Sequence, residues 1–349
     1  GGVGYDINCG IRLATTNWDI ENARKHLPEI INKLYKQIPV GAGKGSLIKA
    51  TKAEFERIIT KGIKWAVEKE FASETDQEHI EDKGTLPVDN LSGISERAIE
   101  RGISEIGSLG SGNHFVEVGY IDKIYDTEIA ERLNLFNGQV VVWVHTGSRG
   151  FGHQICADFV KQFQVVSKQY GIELPDRGLA CVPFQSKEGQ DYFNSMNAAA
   201  NFAFVNRQLI TFKIQEILNH FAKKIKPLKF NLLYDVAHNI AKLETHTIDN
   251  RKKKLVVHRK GATRAFPSSV LRGYFASIGQ PVLVPGSMGT ASYLLIAKPK
   301  SMELAFGSCC HGAGRLLSRS QAKKKISGSE LKASLSKKGI FVEAKSIND

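Results

Sequence analysis

The sequence holds only five cysteines, at positions 9, 156, 181, 309 and 310, and none forms a Cys-x-x-Cys pair. So odd and scattered a set excludes a disulfide framework and a zinc ribbon, and any functional cysteine is expected to act singly. Long hydrophobic runs are missing too: nothing approaches the ~18–20 apolar residues of a transmembrane helix. The opening residues, Gly1-Gly2-Val3-Gly4-Tyr5-Asp6, have neither the cationic head nor the apolar stretch of a signal peptide. A cytoplasmic protein without a membrane partner is the simplest expectation. Internal repeats and low-complexity linkers are also lacking. With 42% hydrophobic and 24% charged residues, the composition is that of a globular chain able to bury a core, which excludes a disordered one.

A phosphate-binding P-loop is absent as well. Gly41-Ala42-Gly43-Lys44-Gly45-Ser46 looks like one, but the motif needs Gly five residues before the Gly-Lys pair and Ser or Thr straight after it. Ile38 and Gly45 occupy those positions, so the stretch reads as a flexible turn between helices.

What is plentiful is positive charge. With 48 Lys and Arg against 35 Asp and Glu, the net charge is +13. Residues 207 to 264 carry 14 Lys and Arg against four acids, while 54 to 131 are comparatively acidic. Such asymmetry fits a polyanion partner, although the run Arg251-Lys252-Lys253-Lys254 by itself reads as a solvated face. A length of 349 residues allows two domains or one large α/β domain, at ~100–200 residues per domain. The chain opens on Gly1, inside a glycine-rich motif, so a further segment is expected upstream.

Glycine-rich punctuation separates apolar strands from amphipathic helices. Residues 20 to 70 read as helical in two segments, broken at Pro39-Val40-Gly41-Ala42-Gly43. Residues 139 to 145 (QVVVWVH) form a β-branched run, followed by the loop TGSRG and a helical stretch to about Tyr170. The pattern recurs: FNLLYDVAHN ends in His238-Asn239, PVLVPGSMGT ends in a Gly/Ser loop, and HGAGRLLSRSQAKKK reads as a loop feeding a helix. These features predict a mixed α/β (α+β) fold in which strand-end loops form a polar cleft, because a rigid sheet fixes the loops that supply chemistry.

Five residues of metal-ligand type fall in such places: Asp6 and Cys9 in GYDINCG, His114 in GSGNHFVEV, His145 in WVHTGSRG and His238 in YDVAHN. Singly, each His reads as a hydrogen-bonded structural residue and Cys9 as a small buried hydrophobe. Together, each beside a tight-turn glycine or a strand end, they suggest loops converging on one or two divalent cations. A thiolate with three imidazoles suits zinc, and a carboxylate shifts preference towards harder ions such as manganese, so residue types leave the metal open. His311, in CCHGAGR, is followed by glycines that would let backbone amides approach a phosphate at a helix start. Its imidazole either caps that helix or attacks a nucleotide phosphorus. A free pKa near ~6.5 leaves much of it neutral and nucleophilic at physiological pH.

Taken in order, GGVGYDINCGIRL, GSLGSGNHFVEV, VHTGSRGFGHQ, YDVAHNIAK, VHRKGATRAFP, PVLVPGSMGTASYLL and CHGAGRLLSRSQA resemble the successive signature blocks of the RtcB ligases, from residue 1 to about 322. The resemblance implies an RtcB-like fold, one catalytic domain over residues 1–349, with two manganese ions and GTP in the cleft. By motif, Cys9 would bridge the two ions, and Asp6, His114, His145 and His238 would complete their shells. His311 would attack the α-phosphate of GTP and carry GMP. The guanylate-binding positions would be Asn113, His114, Phe115, Val116, Glu117, His238, Asn239, Pro285, Gly286, Ser287, Met288, Ser292, His311, Gly312, Ala313 and Gly314. Arg149, Lys260, Arg264, Arg315 and Arg319 are the basic residues of matched blocks expected to hold RNA or GTP phosphates.

The implied activity is GTP- and manganese-dependent joining of an RNA 3′-phosphate or 2′,3′-cyclic phosphate end to a 5′-hydroxyl end, in tRNA splicing or RNA repair, with an archease-type activator as a further partner. Family members usually carry a segment before the first block and a C-terminal lysine motif that the surroundings of Lys345, in AKSIND, do not match. The chain is therefore expected to be truncated at both ends. Two other readings use the same residues: a metal-dependent phosphoesterase that needs no GTP, and an RNA-binding fragment without catalysis.

Overall fold

The computed structural model describes residues 3–41, 43, 45–314, 321 and 327–344. Its main sheet has four strands in the order β2-β3-β1-β4: β1 is Gly10–Asp19, β2 Phe115–Tyr120, β3 Gln139–Thr146 and β4 Phe230–Ala237. Every neighbouring pair is antiparallel. The β-branched run at 139 to 145 is thus a strand, and all eight of its residues are buried. Its side chains alternate between the faces, as strand geometry requires. Val140, Val142 and Val144 pack with Ile210, Ile214 and Ile217, whereas Val141 and Trp143 pack with Leu233, Phe275 and Leu283.

The first face is covered by the helix Lys187–Asn219, 33 residues long and so ~50 Å in length at 1.5 Å per residue. Ser186 caps its start by accepting from the Gly189 amide at 3.1 Å. Small residues such as Ala198, Ala199, Ala200 and Ala203 are wholly buried along it. Asparagines on the same helix satisfy loop backbones that would otherwise be orphaned in the interior. Asn201 accepts from the Leu86 amide at 2.7 Å and donates to the Ile59 and Leu86 carbonyls at 2.9 Å each.

Beyond the sheet, β5 (Asn239–Ile248) and β6 (Arg251–Lys260) form a hairpin. Its two turn residues, Asp249 and Asn250, have φ of 51° and 58°, values that short polar side chains tolerate best. Four smaller strands form two pairs: β7 (Ala262–Arg264) with β10 (Ser308–Cys310), and β8 (Pro281–Val284) with β9 (Tyr293–Ile296). The helix expected after β3 spans Arg149–Val166 and runs on as a 3-10 turn to Tyr170.

The helical reading of residues 20 to 70 needs more breaks than two segments, with helices at Ile20–Ala23, Leu27–Gln37, Lys52–Lys61 and Ile63–Glu68. The turn after Pro39 is not the free linker that its glycines suggested. The Gly41 amide donates to Leu109 O at 3.0 Å, and the Gly43 amide donates to Glu105 Oε1 at 2.7 Å. Among the described residues, no helix is long and apolar enough to cross a membrane.

Candidate metal and nucleotide site

The register of the sheet assembles the site. Gly10 lies opposite Thr146 on β3 and Ala237 on β4, and Phe115 lies opposite His145. Cys9 before β1, His114 before β2, His145 one residue from the end of β3 and His238 after β4 therefore meet at one end. Because the sheet is antiparallel, this end is built from two strand starts and two strand finishes. Asp6 is delivered by the loop ahead of β1, which Asn239 clamps. Asn239 accepts from the Gly4 amide at 2.7 Å, donates to the Gly4 and Asp6 carbonyls at 3.1 and 2.6 Å, and takes the Asn8 amide on its own carbonyl at 2.7 Å.

The donor atoms form two groups that share one sulfur. Cys9, His145 and His238 make one, and Asp6, Cys9 and His114 make the other, with the donors of each group within 4.8 Å of one another. Cys9 Sγ lies 3.3 Å from His114 Nε2 and 3.4 Å from His145 Nε2. The Nε2 atoms of His145 and His238 are 3.1 Å apart, and His114 Nε2 is 2.8 Å from Asp6 Oδ2. Two nitrogens bonded to a common ion at ~2.0–2.1 Å stand ~2.9–3.4 Å apart for angles between square and tetrahedral, and a sulfur–nitrogen pair ~3.1–3.6 Å. The cluster thus fits a pair of metal ions sharing the Cys9 thiolate.

Electrostatics favour the same role. Burial, followed by the charge of His114, pushes His145 down to about 3, and burial with the charge of His145 pushes His238 well below its ordinary value. Both rings are therefore neutral donors near pH 7. Burial would raise Asp6, but the charge and hydrogen bond of His114 outweigh it and the carboxyl titrates below its usual range. Asp6 also accepts the Arg149 amide at 3.2 Å, at the start of an 18-residue helix whose dipole favours negative charge. Burial and the Asp6 charge hold the Cys9 thiol well above its ordinary value, so metal binding there must release a proton.

Two glycines make room. A Cβ on Gly110 would sit 1.8 Å from His114 Nδ1, and one on Gly147 would sit 2.5 Å from Asp6 Oδ1.

Beneath the cluster lies a scaffold that the sequence reading missed. Arg207, on the long helix, donates from Nη1 to the carbonyls of Asn8 and Thr146 at 2.9 Å each, and its Nη2 pairs with Asp235 at 2.9 Å. Those partners neighbour Cys9 and His145 and precede His238 by three residues. Arg12 closes the network on Asp235 at 2.8 Å. Asn206 accepts the Ser108 amide at 2.9 Å and donates to Gly147 O at 3.2 Å, linking the loop before His114 to the loop after His145. The one available signal was an acid inside the apolar run FNLLYDVA and an arginine inside AFVNRQLI.

His311 stands next to this centre. Its ring centroid is 4.9 Å from that of His238, at 69°. Burial lowers its pKa, against a backbone hydrogen bond with Gly261 that raises it. The loop after it docks on the Pro285 segment, where the Ala313 amide donates to Pro285 O at 3.0 Å and the Gly286 amide donates to Ser292 Oγ at 3.0 Å. Residues 312–314 and 285–292 therefore meet beside His311. Phe115 packs edge-on against His145 at 5.4 Å, while Asn113 and Glu117 are exposed on either side of it. Met288 is exposed and Val116 packs beneath the sheet.

The basic residues divide. Lys260 is exposed at the site end of β6, opposite Asn239. Arg149 is turned inward, donating to Ser108 Oγ at 3.1 Å and Gly41 O at 2.8 Å. Arg264 is held by Asp82 at 2.7 Å and Glu81 at 3.2 Å. Arg315 and Arg319, like Lys345, lie outside the described residues. The charge-rich stretch from Arg207 to Arg264 is not one basic surface. Arg207, Lys242 and Arg259 are buried in ion pairs with Asp235, Glu81 and Glu244.

The fold and site define a mixed α/β protein with a candidate two-metal centre at one end of an antiparallel sheet and a histidine poised beside it. The chain belongs to the RtcB family: the family model described as tRNA-splicing ligase RtcB matches residues 1–349. Among its relatives, the protein named tRNA-splicing ligase RtcB from Thermococcus kodakarensis is 49% identical, covering 99% of this chain and 73% of the relative. The protein of the same name from Methanococcus maripaludis is 48% identical, with coverage of 99% and 73%. For that of Methanocaldococcus jannaschii the identity is 48%, over 95% of this chain and 35% of the relative.

Proposed function

We propose that residues 1–349 form one catalytic domain of a GTP- and manganese-dependent RNA ligase that joins 3′-phosphate or 2′,3′-cyclic phosphate ends to 5′-hydroxyl ends in tRNA splicing or RNA repair. The observation that carries this reading is the His311 ring lying 4.9 Å from the ring of His238, next to two donor groups that share Cys9. Asp6, Cys9, His114, His145 and His238 would hold the two manganese ions, which when bound supply charge neutralisation for a triphosphate and its leaving pyrophosphate.

The remaining work falls to the chain. A Cβ built on Gly261 would stand 3.7 Å from His311 Nδ1, so Nδ1 is on the Gly261 side of the ring and Nε2 is taken as the nucleophile. Nε2 attacks the α-phosphorus of GTP, the bond to the pyrophosphate oxygen breaks, and a phosphorus–nitrogen bond forms. Partial burial keeps the ring neutral for that attack. The backbone of residues 312–314 and 285–288, with Ser292, Asn113 and Glu117, lines the space for the guanylate. The RNA 3′-phosphate then displaces His311 from the α-phosphorus, and the 5′-hydroxyl displaces GMP from the activated end. A cyclic phosphate is first opened to the 3′-phosphate. Lys260 is exposed where an RNA phosphate would approach.

Intact mass after incubation with GTP and manganese tests the reading. The expected result is a gain of one guanylate, labile to acid and stable to alkali, that is absent in His311→Ala although manganese stoichiometry is kept. Hydrolysis of a cyclic phosphate end without GTP and without any adduct would instead support a phosphoesterase.

A further inference from the structure

Two thiols directly precede His311. Cys309 and Cys310 belong to the three-residue strand β10, held to β7 through Cys309 opposite Thr263 and Cys310 opposite Ala262. Neighbouring side chains on a strand normally point to opposite faces. Here the two are turned together, with the sulfurs 4.0 Å apart, Cys310 exposed and Cys309 half-buried. Adjacent in sequence and turned towards each other, the two thiols are placed to act together. Two sulfurs bonded at ~2.3 Å to one soft ion stand ~3.8–4.0 Å apart for tetrahedral to trigonal geometry. A pyramidal arsenic(III) centre, with angles near ~95–100° at similar bond lengths, needs about 3.4–3.5 Å, so the observed 4.0 Å has to close by only about 0.5 Å. A direct sulfur–sulfur bond of ~2.05 Å would instead require the atoms to close by ~2 Å.

We propose that Cys309 and Cys310 form a two-thiol site for soft, thiophilic centres such as trivalent arsenicals, and that filling it blocks nucleotide loading on His311. The second half rests on the ligase reading, and the first does not. Burial and the neighbouring thiol push Cys309 above its ordinary value, and capture of the centre releases the thiol protons. With an arsenic(III) oxide, R–As=O, both S–H protons pass to oxygen, two As–S bonds form and one water leaves, without change of oxidation state. The bridged group then sits on the residue bonded to His311. That histidine lies beside the His238 ring and makes a hydrogen bond with the Gly261 backbone, contacts that a bulky group on the adjoining residue would disturb.

Phenylarsine oxide is the probe, applied to the full chain with excess 2-mercaptoethanol to strip adducts held by one thiol. Intact mass should show one phenylarsenic group on the wild type and on Cys181→Ser, and none on Cys309→Ser or Cys310→Ser. An adduct that survives in Cys309→Ser, or a wild type that takes none, overturns the site. In the second arm, GTP and manganese are added afterwards. Guanylate uptake should fall to background in the treated wild type and persist in treated Cys309→Ser. Uptake unchanged in the arsenic-bearing wild type overturns the blocking role. If the untreated wild type takes no guanylate, the ligase reading fails while the mass adduct still reports on the dithiol.

Discussion

A methyl group at Gly147 would stand 2.5–2.7 Å from three atoms of the Asp6 carboxyl, well inside the ~3.5–4.0 Å of ordinary carbon contact. Gly147 does not need the left-handed backbone region, since its φ lies outside it, so Gly147→Ala adds bulk without backbone strain. The side chain that must yield is the free end of Asp6. Reaching ordinary contact takes a retreat of about 1 Å, several times the ~0.2 Å tolerance of a metal–ligand bond. Asp6 is thereby lost from the group it forms with Cys9 and His114, while the group of Cys9, His145 and His238 keeps all its donors. Since disturbing even an outer partner of a ligand typically costs ~10–100-fold in metal affinity, one site should weaken by at least that factor and the other should hold. Calorimetric titration of manganese into metal-free wild type and Gly147→Ala reads this directly, with thermal unfolding of the metal-free forms showing that both are folded. Two unchanged sites in the variant would refute the assignment of Asp6, and equal weakening of both would refute the separation into two groups.

Cys9→Ser, by contrast, should weaken both manganese sites together, because its sulfur belongs to both groups; metal analysis showing full stoichiometry at unchanged affinity would make Cys9 merely structural. Asp82→Asn should destabilise the fold by about 2 kcal/mol near pH 7, the scale of a charged hydrogen bond left unmade, in chemical unfolding. Burial would raise Asp82, but Arg264 and Lys242 hold it far below its ordinary value. Its contribution is therefore present above the unfolded pKa of ~3.9 and lost as pH falls through the folded one, so the difference between wild type and variant should be flat from pH 6 to 8, as an approximate window of about two units, and shrink in acid. For RNA, Lys260→Ala should reduce the slope of log affinity against log salt by about 0.7, one phosphate's share on a single strand. Neutralising Lys252, Lys253 and Lys254 should leave it unchanged, because at ~3.3 Å per residue they lie some ~20 Å or more along β6 from Lys260; an equal drop for both variants in salt-titrated binding would show that the whole hairpin grips RNA.

Local pattern carried much of the fold. The β-branched residues 139 to 145 and the apolar run from Phe230 announce strands because their composition requires burial, and the first is an inner strand of the sheet while the second lies at its edge. The order β2-β3-β1-β4 and its antiparallel pairing were not legible, since register depends on partners far apart in sequence. The five metal-type residues were visible because each stands beside a glycine or a strand end. That two groups share Cys9 follows only from Gly10 meeting both Thr146 and Ala237. The turn after Pro39 misled because its glycines say nothing about the partners, Leu109, Glu105 and Arg149, that fix it.

Charge was the hardest feature to read, because a count along the chain does not distinguish a cation facing solvent from one held inside. Removing Asp235 would leave Arg12 and Arg207 buried without their shared carboxylate, a loss of ~3–5 kcal/mol by analogy with broken interior pairs. So costly an arrangement persists where it fixes something that apolar packing does not. Arg207 grips the backbone on either side of the cluster, at Asn8 and Thr146, and apolar side chains cannot hold carbonyl groups at a set position. The positions of Cys9 and His145 thus depend on a cation that no ligand need touch. The same residue that inflated the basic count in the sequence belongs to the foundation of the metal centre, and any gain in RNA affinity from the net charge must come from the exposed residues that remain.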